Sequence, residues 1–202
     1  MKTTLLLLCA FLSANLLGQN VYIPDANFKA YLVGNSVINT NSDTEIQLSE
    51  ASAYTGTIDC SGQSIYDLTG IEAFTAFTEL YCQNNQLTSL DLSSNSALET
   101  LHCASNQLTY VDVASNTALI NLNCQGNQLT SLNISSNIDL ESIYCGLNQL
   151  TSLNLSSNAS LTFLDCQGNQ IGSLDVSNNT SLGLMGCGSN QLASLDLSLI
   201  HI

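Results

Sequence analysis

Residues 122–145 read LNCQGNQLTSLNISSNIDLESIYC, and this pattern recurs along most of the chain. Cysteines stand 21 residues apart from Cys82 to Cys187, after a first interval of 22 residues that begins at Cys60. From Cys82 onward, each cysteine has an apolar residue two positions before it and an asparagine three positions after it. A fixed period of this length predicts a solenoid in which each repeat forms one coil.

The repeat frame L-x-x-L-x-C-x-x-N-x-L is that of a leucine-rich repeat with cysteine in one leucine position. In Leu101-His102-Cys103 the outer two side chains face inward and His102 faces outward, because successive side chains of a strand alternate. Stacked coils then form a β-rich, right-handed solenoid with one parallel sheet. A second alternation, such as Val111-Asp112-Val113, predicts a flatter β-like edge on the opposite side.

Three segments divide the chain. Residues 1–18 combine Lys2, an apolar run and a small-residue end, which is typical of a secretory signal peptide. Residues 19–53 form an N-terminal cap with a short helix from about Asp25 to Val33. Residues 54–202 form about seven coils, the last of them incomplete. The apolar residues after Leu197 provide no polar cap, which leaves open whether the chain is part of a longer protein.

The seven repeat cysteines are expected to form a buried ladder. Equivalent residues of neighbouring coils lie about 4.8 Å apart with parallel side chains, whereas a disulfide needs Cβ atoms at about 3.8 Å. Free thiols that fill the core are therefore favoured over bridges, which remain the alternative. The ladder consists of Cys60, Cys82, Cys103, Cys124, Cys145, Cys166 and Cys187.

The cap contains a twelve-residue stretch that resembles a calcium-binding loop. Oxygen-bearing side chains occupy the first, third and fifth positions, and a glutamate occupies the twelfth. The predicted calcium ligands are Asn39, Asn41, Asp43, Glu50 and the backbone carbonyl of Glu45. Thr44 replaces the glycine of the usual turn, so the expected affinity is weak. An ordinary polar loop is the alternative, and no cofactor is otherwise required.

The outer face of the predicted sheet varies within coils that are otherwise nearly identical. This variation predicts a ligand-binding face, although drift on an exposed surface would produce the same pattern. The predicted face consists of Glu79, Tyr81, Thr100, His102, Asn121, Asn123, Ser142, Tyr144, Phe163 and Asp165.

Charge excludes several classes of partner. Cleavage of the signal peptide leaves sixteen acidic residues against a single base, Lys29, and the chain contains no arginine. Such a surface cannot neutralise phosphates, so neither nucleic acid nor anionic lipid is an expected partner. No membrane insertion is expected, because no later apolar stretch approaches about 20 residues. The nearest acid in the column of His102 is Asp165, three coils away, so no enzyme is expected.

The repeat NQLTSLDLSSN, together with a cysteine every 21 residues, resembles the internalin-like leucine-rich repeats of bacterial surface proteins that carry a cysteine ladder. The resemblance covers residues 55–197 and implies a secreted or cell-surface protein used in adhesion and recognition. We therefore expect a monomeric bacterial module that binds a protein or glycan at a cell surface. The alternative is a structural spacer within a larger surface protein.

Overall fold

The computed structural model describes residues 19–196 and residue 198. The predicted signal peptide at residues 1–18 therefore lies outside the described residues, as do the last apolar residues of the chain. Within the described part, no helix is long and apolar enough to cross a membrane.

One parallel sheet of seven strands runs through the repeat region, in the order in which its strands occur in the chain. Each strand pairs in register with the next, so that Tyr81 lies beside His102 and His102 beside Asn123. The strands are β1 (Thr57–Asp59), β2 (Glu79–Tyr81), β3 (Thr100–His102), β4 (Asn121–Asn123), β5 (Ser142–Tyr144), β6 (Phe163–Asp165) and β7 (Leu184–Gly186). This architecture confirms the predicted leucine-rich-repeat solenoid.

The middle residue of each strand and the cysteine that follows the strand point into the core of the solenoid. Leu101 and Cys103 are almost fully buried, whereas His102 between them is partly exposed. All seven repeat cysteines are free thiols, and only Cys187 is more than marginally exposed. Burial raises the pKa of the Cys60 and Cys124 thiols to about 12. The thiols therefore serve as small apolar fillers of the core.

The asparagine that follows each cysteine ties successive coils together. The Asn106 amide nitrogen donates to the carbonyls of Cys82 and Cys103, in the preceding coil and its own. Its Oδ1 accepts a hydrogen bond from the Leu87 amide of the preceding coil. The same arrangement recurs at Asn127, so this column has a structural role.

A second buried asparagine column, which sequence reasoning missed, lines the opposite side of each coil. Asn116 is fully buried and donates to the carbonyls of Leu92 and Asn95 in the preceding coil. The signal was present, because these asparagines also recur every 21 residues. The column consists of Asn95, Asn116, Asn137, Asn158 and Asn179.

The second alternation forms no strand, and the prediction of a β-like edge there was wrong. Val111 and Val113 are buried as predicted, but residues 111–113 have no strand pairing. Asp112 lies outside and accepts a hydrogen bond from the amide of Ala114, which bends the chain into a turn. The alternation therefore fixes which side chains are buried, while the local turn prevents an extended ladder.

The N-terminal cap has two helices, α1 (Ala26–Gly34) and α2 (Leu48–Ala53), of which only α1 was predicted. Fully buried Asp25 caps α1 by accepting from the Asn27 and Phe28 amides. Its second oxygen accepts from the Tyr66 and Asp67 amides of the first coil. The single carboxylate of Asp25 thus hydrogen-bonds to both the cap and the first coil.

Two tyrosine hydroxyls, one in the cap and one directly after it, cover the free edge of β1. The Asp59 amide donates to the Tyr31 hydroxyl, and the Tyr54 hydroxyl donates to the Thr57 carbonyl. An unpaired strand edge invites association with other chains. The cap therefore protects one end of the sheet as well as covering the core.

The buried ladder predicts how the thiols react. In the folded protein we expect N-ethylmaleimide at neutral pH to modify Cys187 first and the other six repeat cysteines slowly, because burial suppresses their thiolates. After unfolding without a reductant, all seven repeat cysteines should react, as read by intact-protein mass spectrometry. A denatured, unreduced sample that accepts fewer labels would show that bridges exist.

Candidate recognition face

The ten residues predicted to form the binding face all lie on the outer side of β2–β6. They flank the buried middle residue of each strand, and every one of them is at least partly exposed. Because the strands are in register, the outer residues form two continuous columns. The structure therefore places the predicted residues on one surface, and their role in binding stays a prediction.

The outer face also includes β1, which the sequence prediction left out. Asp59 pairs in register with Tyr81, and Thr57 pairs with Glu79. The Thr57 hydroxyl donates to the Glu79 carboxylate. Asp59 directly precedes Cys60, so the cysteine frame itself was the signal that could have found it. Asp59, two strands from His102, and not Asp165, is therefore the nearest acid in the column of His102.

Two aromatic pairs stand on the face. Tyr81 and His102 meet edge to face, with ring centroids 6.0 Å apart. Tyr144 and Phe163 lie closer and nearly parallel, with centroids 4.5 Å apart and an angle of 30° between the rings. Each pair joins neighbouring strands, so the rings support one another and present flat apolar surface to a partner.

His102 is held in one protonation state by its neighbour. The Asn123 Nδ2 lies 2.9 Å from His102 Nε2, and the Asn123 Oδ1 accepts from the Gln125 amide. The second contact fixes the orientation of the amide, so Nδ2 donates and His102 Nε2 accepts as part of a neutral ring. Burial lowers the pKa of His102, against the opposing charge of Asp59. His102 is therefore uncharged near neutral pH.

The cap loop brings the predicted calcium ligands together and engages most of their side-chain oxygens in hydrogen bonds within the loop. Glu50 Oε1 accepts from the Thr40 amide, the Thr40 hydroxyl and the Asn41 amide, and Oε2 accepts from the Gln47 amide. Burial alone would raise the pKa of Glu50, but these hydrogen bonds outweigh it and lower the pKa. Glu50 thereby closes a capping box at the start of α2.

Asn41 and Asp43 are engaged in the same way, whereas the buried Oδ1 of Asn39 has no hydrogen-bond partner among the described residues. Asn41 Oδ1 accepts from the Asp43 amide, and Asp43 Oδ1 accepts from the Glu45 amide. Asn39 turns its amide nitrogen toward the Asp43 carbonyl, and the Glu45 carboxylate pairs with Lys29 at 2.6 Å. Calcium would have to replace these bonds. The residues fit a self-contained capping loop better than a calcium site, and calcium binding stays a prediction.

The parallel sheet, the buried asparagine columns and the cysteine ladder define a leucine-rich-repeat protein. Residues 35–169 match the family model of the endo-β-N-acetylglucosaminidase EndoS leucine-rich-repeat domain, and the chain belongs to this family.

Relatives of known sequence or structure include internalins of Listeria monocytogenes. Internalin J is 40% identical over 78 residues, which is 38% of this chain and 8% of that protein. The solved functional domain of this internalin, which includes a cysteine ladder, is 31% identical, with a TM-score of 0.56. That match covers 89% of this chain and 49% of the solved chain. The resemblance to internalin-like repeats with a cysteine ladder is confirmed.

A second solved structure shows the same fold without close sequence similarity. Internalin C2 of Listeria monocytogenes is 20% identical, with a TM-score of 0.79 over 89% of this chain and 82% of that one. The chain spans about half or less of the internalin J sequence and structure that it matches, so the activity of the whole protein does not transfer to it.

Thermal unfolding in the presence of calcium distinguishes the two roles of the cap loop. We expect Glu50→Ala to lower the unfolding free energy by about 1–3 kcal/mol, because it leaves buried amides without an acceptor. The loss should be equal in EDTA and in about 5 mM calcium, a concentration above the ~1 mM affinity of weak sites. Magnesium serves as the ionic control. A calcium-specific rise in Tm that disappears in Glu50→Ala would instead assign the loop to calcium.

The environment of His102 predicts a pH effect on stability. The pKa of His102 is lower in the folded protein than in the unfolded chain. As the pH falls through 6.5, His102 therefore binds a proton more readily in the unfolded chain. Stability should therefore decrease below this pH and be unaffected by His102 above it. Urea unfolding at several pH values should show the decrease in the wild type and a smaller one in His102→Gln. An NMR titration that gives His102 a pKa at or above 6.5 would contradict the prediction.

Proposed function

We propose that this protein is a recognition module that acts outside the cell and binds a protein or glycan through the outer face of its sheet. The observation that carries the proposal is the contrast between the two sides of each strand. The inward positions repeat leucine or isoleucine and cysteine in coil after coil, while the outward positions differ in size, charge and hydrogen-bonding type. Packing requires constant residues inside and leaves the outer residues free for recognition.

The chemistry of the face suits binding and not catalysis. His102 hydrogen-bonds to Asn123, which is no nucleophile, and its contact with Tyr81 is edge to face between the rings, without a hydrogen bond to the Tyr81 hydroxyl. The aromatic pairs provide rigid surface that loses little entropy when a partner binds. The predicted signal peptide and the likeness to internalins support a location outside the cell.

A triple substitution tests the proposal. Tyr81→Ser, His102→Ser and Tyr144→Ser together should abolish binding while the protein stays folded, because the three side chains lie outside the core. The loss of two aromatic pairs should lower the unfolding free energy by about 1–3 kcal/mol. The matched control replaces Tyr66, Tyr110 and Ile138, which are all more than half exposed and lie outside the strands. Binding would be measured against a printed array of oligosaccharides and a displayed peptide library.

Two results would overturn the proposal. One is a set of binders that the triple variant retains and the control variant loses, which would show that recognition takes place outside the sheet face. The other is the absence of any binder for the wild type, which would favour a spacer role.

A further inference from the structure

The outer face changes its chemistry from one end of the sheet to the other. At the N-terminal end, Asp59 on β1 pairs in register with Tyr81, and Glu79 lies two residues before Tyr81 on the same face of β2. Burial is the largest cause of the raised pKa of Tyr81, and the negative charges of Glu79 and Asp59 add to it. The tyrosine ring therefore stands in a negative field, which is an arrangement that attracts a cation.

The central strands carry no charge on this face. Asn121 donates to the Thr100 hydroxyl and accepts from the Ser142 hydroxyl, while Asn123 contacts His102. These side chains form a polar, neutral middle section that can hydrogen-bond to a backbone crossing it.

The C-terminal end is mainly apolar, and its one acid, Asp165, pairs in register with Tyr144 and accepts hydrogen bonds from the amide and side-chain nitrogens of Gln167. Tyr144 and Phe163 form the tighter aromatic pair, and Leu184, which pairs in register with Phe163, is 59% exposed. Leu147, three residues after Tyr144, is 58% exposed. Aromatic and aliphatic groups grouped in this way form an anchor site for an apolar side chain.

The backbone of Leu147 supports a contact role for this end of the face. Its φ of 53° lies in the left-handed region, which disfavours a leucine. At the same position of the other six coils the residue is glycine, asparagine or serine. Nothing in the described fold requires an exposed leucine there, and strained residues concentrate where function holds them.

No positive charge balances the acidic end. Lys29 is the one basic residue in the sequence outside the predicted signal peptide, and it pairs with Glu45 in the cap. An acidic ligand would therefore be repelled. A neutral sugar can donate its hydroxyls to Asp59 and Glu79, but only a cation also gains from their charge. A partner that carries a cation at one end and an apolar group at the other satisfies both ends of the face.

We infer that the face binds an extended protein segment whose lysine or arginine lies over Tyr81 near Asp59 and Glu79. An apolar side chain of the same segment packs on Tyr144 and Phe163. The inference rests on the proposed function. The strand of Tyr81 is three intervals from that of Tyr144 and four from that of Phe163, or about 14–19 Å at about 4.8 Å each. About five steps of extended chain, at about 3.3 Å each, span this distance.

Capped synthetic peptides provide the probe. The test peptide has arginine and phenylalanine separated by four serine or glycine residues, and it is made in both directions because either could bind. Three controls replace arginine with glutamine, replace phenylalanine with alanine, or place the two residues next to each other. Binding is followed by NMR shifts of Tyr81, His102, Tyr144 and Phe163 in the mature protein.

We expect each control peptide to bind about fivefold or more weakly than the test peptide. An increase in sodium chloride from about 0.05 M to about 0.5 M should weaken the arginine peptide and leave the glutamine peptide unchanged. Asp59→Asn with Glu79→Gln should remove the preference for arginine over glutamine.

The matched control variant is Asp112→Asn with Asp175→Asn. It removes the same charge from the opposite edge, where Asn133 and Asn154 already occupy equivalent turns and make equivalent bonds. This variant should keep the preference for arginine. An equal loss of that preference would show that it depends on total charge and not on the position of Asp59 and Glu79.

The remaining outcomes separate this inference from the proposed function. The inference is overturned if all peptides bind equally, or if they shift the NMR signals of residues away from the face. If neutral oligosaccharides bind the face and the peptides do not, the inference fails while the proposed function stands. If neither kind of probe binds, both fail.

Discussion

The buried asparagine after each cysteine is the constraint on which the rest of the solenoid depends. Its amide satisfies three backbone groups, one in its own coil and two in the coil before it, as Asn106 does with Cys103, Cys82 and Leu87. Each of these groups would cost about 1–3 kcal/mol if it were buried without a partner. The bonds fix how far each coil rises and turns relative to the last. With that spacing set, the strands fall into register and the leucines and cysteines stack.

A rigid interior gives the outer face its freedom. Since the inner residues and the asparagines hold each coil in place, the outward residues do not decide whether a coil folds. The face can therefore combine a charged end at Glu79, neutral amides in the centre and an aromatic pair at Tyr144 and Phe163. Because each coil is one repeat long, residues 21 positions apart lie side by side on neighbouring strands. Such contacts bring together side chains that a single repeat could never juxtapose.

The acidic residues show that one residue pattern can suit two different roles. Glu50 occupies the last position of a calcium-loop pattern, yet both its oxygens accept hydrogen bonds from the cap itself. Asp25, fully buried, joins a helix to the first coil through four backbone amides. A carboxylate is equally suited to a metal ion and to clustered amides. The conformation of the surrounding backbone, and not the order of residue types, determines which one it meets.

The sequence by itself determined the period, the buried and outward sides of every strand, the free cysteine ladder and the helix that begins after Asp25. These features follow from local rules, because strand alternation and repeat length are visible in any one coil. Only the tertiary structure decided that residues 111–113 turn instead of pairing as a strand and that His102 is held neutral by Asn123. These outcomes depend on distances between neighbouring coils and on turn conformation, which a linear pattern does not specify.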